Sequence, residues 1–252
     1  MSIGSDILPS PDLLAFHLFD WLNIARGEER ETLLAVIATA QRLALDAFLP
    51  HYRQSDIEEP ALHDDGVHIL PAVKEALARF AELGLFGCSF PEELGGFGLP
   101  YTATLAIQAN FSAANIATAN YAMLTAANAR LISTFGTSEQ IRQFALPEIE
   151  GRWLGTMCLS EPQAGSSLGD IRTKAILEGE DTLGAGYRLT GNKMWVSGGD
   201  QNATENIVHL VLAKIVRDDG TLPEGTKGIS LFIVPKRLPD DRPNDIVVVD
   251  GR

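Results

Sequence analysis

The sequence predicts an α+β protein: an all-α helical N-terminal domain over residues 1–152, with an extension over 1–60, followed by an antiparallel β-barrel domain over 153–252. Three observations carry that prediction. Apolar residues recur at three- and four-residue spacing early in the chain, as in Leu34, Ile37, Ala38, Leu45 and Phe48. After Arg152 the pattern changes to short β-branched runs punctuated by Gly, Pro, Asp and Asn. The two kinds of segment do not alternate, which argues against βαβ units and a parallel sheet.

The helical part opens with a segment that Asp12 is placed to cap, carrying Leu13, Leu14, Phe16, Leu18, Phe19, Trp21 and Leu22. It is apolar on most sides, so it is expected to be buried or packed against another chain. A second helix follows over Glu31–Tyr52. Pro71 suits the first turn of a helix running to about Leu83, and Gly84 suits its end. The glycine-rich "GLFGCSFPEELGGFGLP" has no clear period and reads as a connector. A long alanine-rich helix runs from about Thr102 to Phe135, closed by Gly136. Thr137 and Gln140 then form a capping-box pattern for a helix through Ile149.

Seven runs read as strands: "WLGTMCLS", "RTKAILE", "YRLTG", "KMWVSG", "NIVHLVLAKIV", "GISLFIVPK" and "DIVVV". So many short strands suggest a barrel or sandwich. "RDDGTLPEGTKG" reads as an exposed hairpin loop and "RLPDDRPND" as another excursion. The last strand stops without an element to close the barrel, so the chain is expected to be a fragment or a truncated product.

Of the 252 residues, 45% are hydrophobic and 21% charged, the balance of a soluble globular protein with a sizeable core. The two cysteines, Cys88 and Cys158, have no CxxC partner. They argue against a disulfide scaffold or zinc site, read as buried apolar residues, and fit a reducing, cytoplasmic setting. The five histidines show no metal spacing, and no metal is expected. Met1–Ser10 lacks the pattern of a signal peptide, and no apolar run approaches the roughly 20 residues of a membrane span. A net charge of −13 disfavours nucleic acid as a partner. It also means that an anionic ligand must be held by a local patch or by backbone dipoles.

Two segments carry chemistry. In "CLSEPQAGSS" a strand ends, Ser160 supplies a hydroxyl at its mouth, and Pro162 stops further pairing. Gly165 allows a positive φ or a close backbone approach, and Ser166 and Ser167 add donors. By itself the segment also fits an ordinary loop. In "GNKMWVSGG" a tight turn precedes Trp195 and Ser197, which alternation would place on one face of a strand. A flat ring beside a hydroxyl suits a planar heteroaromatic ligand. The same pair fits a core tryptophan next to a solvent-facing serine.

Together these motifs resemble those of the acyl-CoA dehydrogenase family of flavoproteins, which carry Thr-Glu-Pro-x-Ala-Gly-Ser and, later, Trp-Ile-Thr/Ser. Here they stand as Ser160-Glu161-Pro162-Gln163-Ala164-Gly165-Ser166 and Trp195-Val196-Ser197. "GLFGCSFPEELGGFG", "LTGNKMWVSGG" and "KGISLFIVPK" extend the resemblance in the expected order, covering nearly all of the chain from about residue 70. The segment "TENIVHLVLAKI" and the long N-terminal extension look closest to the branch of larger members that includes the methylmercaptopropionyl-CoA dehydrogenase-like enzymes.

The resemblance implies FAD-dependent α,β-dehydrogenation of an acyl-CoA thioester, with a C-terminal helical bundle that is absent from this chain. Met157, Leu159 and Ser160 would line the flavin ring, with Ser160 near its N5/O4 edge in place of the commoner threonine. Met157 stands where many members have an aromatic residue. Ser166 would meet the cofactor or the acyl-CoA. Trp195 would cover the ring face away from substrate, Val196 would lie in the same cofactor-binding segment, and Ser197 would bond the ring edge. Ser167 stands where the family often has aspartate, so that acid's role is not carried over. The family's catalytic base is a glutamate on the C-terminal helices, so no catalytic residue is assigned here. Glu161 reads instead as a structural acceptor, Asp170 as a solvated loop acid, and His209 as a hydrogen-bonded barrel residue. Implied partners are acyl-CoA, an electron-transferring flavoprotein and further copies of the chain. Alternatives are a truncated or partner-completed non-catalytic member, an acyl-CoA oxidase or flavin monooxygenase of the same fold, and a plain β-sandwich binding module.

Overall fold

A computed structural model describes residues 7–249. Helix α1 (Pro11–Ala15) has Ser10, not Asp12, at its N-cap position and continues as a π-helical turn through Trp21. Only one side of this segment finds a core. Leu18 and Phe19 are buried, while Leu13, Phe16, Trp21 and Leu22 stay exposed. Helix α2 (Glu28–Leu43) buries Leu33, Ile37, Ala40 and Leu43, the stripe expected of three- and four-residue spacing. It passes through a π-helical turn at Ala44–Phe48 and a 3₁₀ turn at Leu49–His51 into α3 (Tyr52–Ile57). The run Glu28–Ile57 is, contrary to the expectation above, long and apolar enough by composition to cross a membrane; 33% of its most apolar window is buried within the protein.

A hairpin of β1 (Ala61–His63) and β2 (Gly66–His68) interrupts the helices. Its three-residue strands are too short to show alternation. Helix α4 (Pro71–Glu82) starts at Pro71, and Gly84 follows it in the left-handed region at φ 67°. The connector after it needs its glycines, since a Cβ on Gly96 would lie 2.1 Å from the Phe90 carbonyl oxygen. Helix α5 (Tyr101–Phe135) is broken once, at Asn115. The predicted capping box forms at Thr137 and Gln140, ahead of α6 (Ser138–Gln140), a π-helical turn and α7 (Leu146–Ile149).

The predicted closed antiparallel barrel is replaced by an open, mixed five-stranded sheet. Strand β6 (Asn206–Ile215) is its spine. Along one edge it pairs in parallel first with β3 (Trp153–Cys158) and then with the start of β4 (Lys174–Asp181). On its other edge it pairs antiparallel with β7 (Ile229–Pro235), and β4 forms an outer antiparallel ribbon with β5 (Gly184–Thr190). Burial of nearly every β6 residue explains its almost unbroken apolar run. Two of the seven predicted strands do not form: "KMWVSG" and "DIVVV" follow irregular paths. "RDDGTLPEGTKG" does connect the β6–β7 hairpin.

Helix α5 joins the two parts. Its first half packs with α2 and α4 around the rings of Phe48, Phe80 and Phe111, whose centroids lie 4.8–6.1 Å apart. Leu154 of β3 belongs to the same core. Further along, Ile132 packs with Phe144 against Val208 and Leu210 of β6. Cys88 and Cys158 are both free and buried, and burial pushes the Cys88 thiol up to about 11.

Candidate functional site

Strand β3 ends at Cys158 and delivers Leu159, exposed, and Ser160, half-buried, to the sheet's rim. Glu161 then turns inward and is only 5% exposed. Its Oε1 accepts from the Thr173 amide at 3.0 Å, the Thr173 hydroxyl at 2.5 Å and Lys193 Nζ at 2.8 Å. Its Oε2 accepts from the Arg172 amide and Gln163 Nε2, both at 2.7 Å. Burial alone would raise this carboxyl, but Lys193, Thr173 and the two amides outweigh it and bring the pKa down to about 2. A carboxylate so fully occupied is a structural acceptor.

Lys193 also donates to the Leu159 carbonyl at 3.1 Å, and the Met194 amide donates to the Ser160 carbonyl at 3.0 Å. These bonds lay the two motifs side by side. Trp195 follows at once, in the left-handed region at φ 59° and 84% exposed. A β-strand cannot include that conformation. Trp195 and Ser197 therefore do not alternate along one strand face. The indole stands clear of the core, Val196 is half-buried, and Ser197 is exposed at the start of a tight turn.

Ser197 and Gly198 border a cavity of about 280 Å³ between α5 and the sheet, whose walls include Ile69, Val73, Tyr121 and Leu124. Thr156 also lines it, and its hydroxyl pairs with His209 Nδ1 at 2.7 Å. Burial lowers His209 to about 4, so its ring is neutral near pH 7. This is the hydrogen-bonded sheet position expected of it. Asp200 fixes the far side of the turn: its carboxylate accepts from the Val67 amide at 3.0 Å and from Lys236 Nζ at 2.5 Å.

Other predicted positions fall elsewhere. Met157 is half-buried and packs with Trp153 against the Ile132–Phe144 cluster. Ser166 and Ser167 lie exposed further along the Glu161 loop, and Asp170 is exposed as expected. Gly165 does not take a positive φ, and a Cβ there would meet nothing within 4 Å. Sequence reasoning missed Lys193, Thr173, Thr156 and Asp200. Lys193 sat in view inside "GNK", which does not form the predicted tight turn, but its partner lies 32 residues away and no local pattern announces the pairing.

The sequence matches the acyl-CoA dehydrogenase N-terminal domain over residues 30–152 and the acyl-CoA dehydrogenase middle domain over residues 156–248. It is 33% identical over 230 residues to the 3-methylmercaptopropionyl-CoA dehydrogenase of Ruegeria pomeroyi, covering 88% of this chain and 37% of that protein. It is also 33% identical over 238 residues to a broad-specificity linear acyl-CoA dehydrogenase of Mycobacterium tuberculosis, covering 89% and 37%. The chain thus spans well under half the length of these curated relatives. Among solved structures, an acyl-CoA dehydrogenase complexed with FAD from Bacillus anthracis superposes with a TM-score of 0.63 at 26% identity, over 82% of this chain and 32% of that one. The glutaryl-CoA dehydrogenase of Mycobacterium smegmatis shares the fold at a TM-score of 0.64 and 24% identity, over 88% and 49%. With both domains matched in order over the helices and the sheet described above, the chain belongs to the acyl-CoA dehydrogenase family.

Proposed function

We propose that this chain is the flavin-binding part of an FAD-dependent acyl-CoA dehydrogenase. The observation that carries the reading is the bond from the Met194 amide to the Ser160 carbonyl, which brings the backbone just ahead of the exposed Trp195 onto that of the half-buried Ser160 at the end of β3. The site fits a flavin on its own geometry. An 84% exposed tryptophan supplies an uncommitted flat face, and Ser160 and Ser197 supply hydroxyl donors on the two segments that meet there. Leu159 and Val196 add apolar surface beside them, and Met157 supports the end of the strand from the core side.

FAD, when bound, supplies the acceptor for the hydride that leaves the β-carbon of an acyl thioester. The residues of this chain bind and orient. Trp195 would cover one face of the ring, and Ser160 and Ser197 would donate to its polar edge, which would favour the electron-richer state. Ser166, on the exposed loop, is placed for the cofactor or the CoA moiety. The cavity bordered by Ser197 offers the apolar side chains of Ile69, Val73 and Leu124 to an acyl chain. The partners of this reading are an acyl-CoA, an electron-transferring flavoprotein and further copies of the chain, in a cytoplasmic setting that suits two free thiols.

The test is anaerobic addition of a straight-chain acyl-CoA to the protein purified with its flavin. Because no catalytic base is assigned to this part, a saturable shift of the flavin band rather than turnover is expected. A yellow protein whose band is indifferent to every acyl-CoA would refute the dehydrogenase reading.

A further inference from the structure

We infer that the buried Glu161–Lys193 pair is a positioning clamp that fixes the spacing between the Ser160 loop and the Trp195 segment; as a device for cofactor geometry it rests on the flavin reading above. The pair is enclosed, with side-chain exposures of 3% for Glu161 and 11% for Lys193. Lys193 Nζ bonds both to Glu161 Oε1 and to the Leu159 carbonyl, and the Met194 amide bonds to the Ser160 carbonyl. Three consecutive residues of one motif are thereby tied to two consecutive residues of the other, immediately before the tryptophan.

The clamp is anchored to the rigid part of the sheet. Thr173 donates twice to Glu161, and its carbonyl accepts from the Lys214 amide of β6 at 2.9 Å. Thr173 also lies against the segment that leads to Lys193, where a Cβ on Gly191 would come 2.1 Å from its hydroxyl oxygen. Thr173 thus touches both motifs and the central strand. An apolar pair of similar volume would fill this space with equal or better stability. It would not fix direction: two charge-assisted bonds from one ammonium specify where each backbone runs, which packing alone does not.

The test compares Lys193→Met and Lys193→Arg with the unmodified protein, using three readouts: FAD dissociation constant, visible spectrum of the bound flavin, and amide hydrogen exchange without flavin. Lys193→Met is expected to weaken FAD by about tenfold and shift the flavin band towards that of free FAD. Exchange should speed up at residues 158–161 and 192–196 while α5 and β6 keep their protection. Lys193→Arg, which keeps the charge and can span both acceptors, should restore the band and most of the affinity. Glu161→Gln, a milder change that keeps the volume, should shift all three readouts in the same direction and serves if Lys193→Met does not fold. Unaltered affinity and spectrum in Lys193→Met or Glu161→Gln, or exchange that rises uniformly over the whole protein, overturns the clamp while leaving the flavin reading in place. An unmodified protein that binds no FAD overturns the flavin reading, and the clamp's assigned role with it.

Discussion

Glu148 and Glu161 are both buried glutamates, and their surroundings drive them to opposite states. Glu161 is ringed by donors and stays ionised. Glu148, on α7, is fully buried with neither carboxyl oxygen partnered among the described residues, and Asn128 Oδ1 is likewise unpartnered. Burial pushes the Glu148 pKa well above the ordinary carboxylate value. Glu148 and Asn128 crowd around Gly155, where a Cβ would lie 2.4 Å from Glu148 Oε1 and 2.6 Å from the Asn128 Cβ. Only glycine leaves room for them. The sign of the effect on stability follows from the raised value. Below the unfolded-state pKa both states hold the proton and nothing is lost. As pH rises beyond it the unfolded chain releases its proton first, so stability falls until the folded pKa is reached. Glu148→Gln removes that dependence and adds an amide donor. It should stabilise the protein by about 1–3 kcal/mol at pH 7 and by little at pH 4, measured by denaturant unfolding at both values. Equal destabilisation at both would show that Glu148 has a partner worth keeping.

At the scale of elements, α5 is one helix in sequence and two in space. Asn115 leaves helical geometry at φ −162° and ψ 94°, and its own side chain mends the break. Its Nδ2 donates to the Phe48 carbonyl at 3.2 Å and to Ser55 Oγ at 3.4 Å, while its Oδ1 accepts from the Thr118 amide at 3.2 Å. The Phe48 carbonyl sits where the π-helical turn passes into the 3₁₀ turn holding Pro50, and Asn115 bonds it there. The break therefore locks α5 to the α2–α3 arm, one turn before Thr118 and Tyr121 line the cavity. The alanine-rich pattern announces a continuous helix, because one asparagine among many small residues carries no period of its own. Asn115→Ala should cost about 1–3 kcal/mol, seen as a lower unfolding midpoint with helical circular dichroism retained. An unchanged midpoint would mean that the break is not held by this side chain.

At the scale of the whole molecule, what was legible in the sequence followed local physics. Pro71 and Gly84 bracket α4, Thr137 and Gln140 build the cap, and the apolar run of β6 marks a strand buried on both faces. What was hidden depends on pairing between distant segments. Parallel contacts of β6 with both β3 and β4 cannot be read from composition, and they convert a predicted barrel into an open mixed sheet. "KMWVSG" has the composition of a strand, yet bonds from Lys193 and Met194 and a left-handed Trp195 hold it off the sheet. The site shows the same division. Its motifs were visible as residue types in order, while the clamp that joins them and the cavity beside Ser197 belong to the folded chain.

The central claim is that a flavin lies against this rim, and titration of the protein with FAD, followed by flavin absorbance in the unmodified chain and in Trp195→Ala, tests it most directly. Because the indole is 84% exposed, its removal should leave the melting temperature almost unchanged. The account predicts saturable binding with a shifted flavin band, weakened by about tenfold in Trp195→Ala at equal thermal stability. No binding by the unmodified protein, or identical affinity in the two, would contradict it.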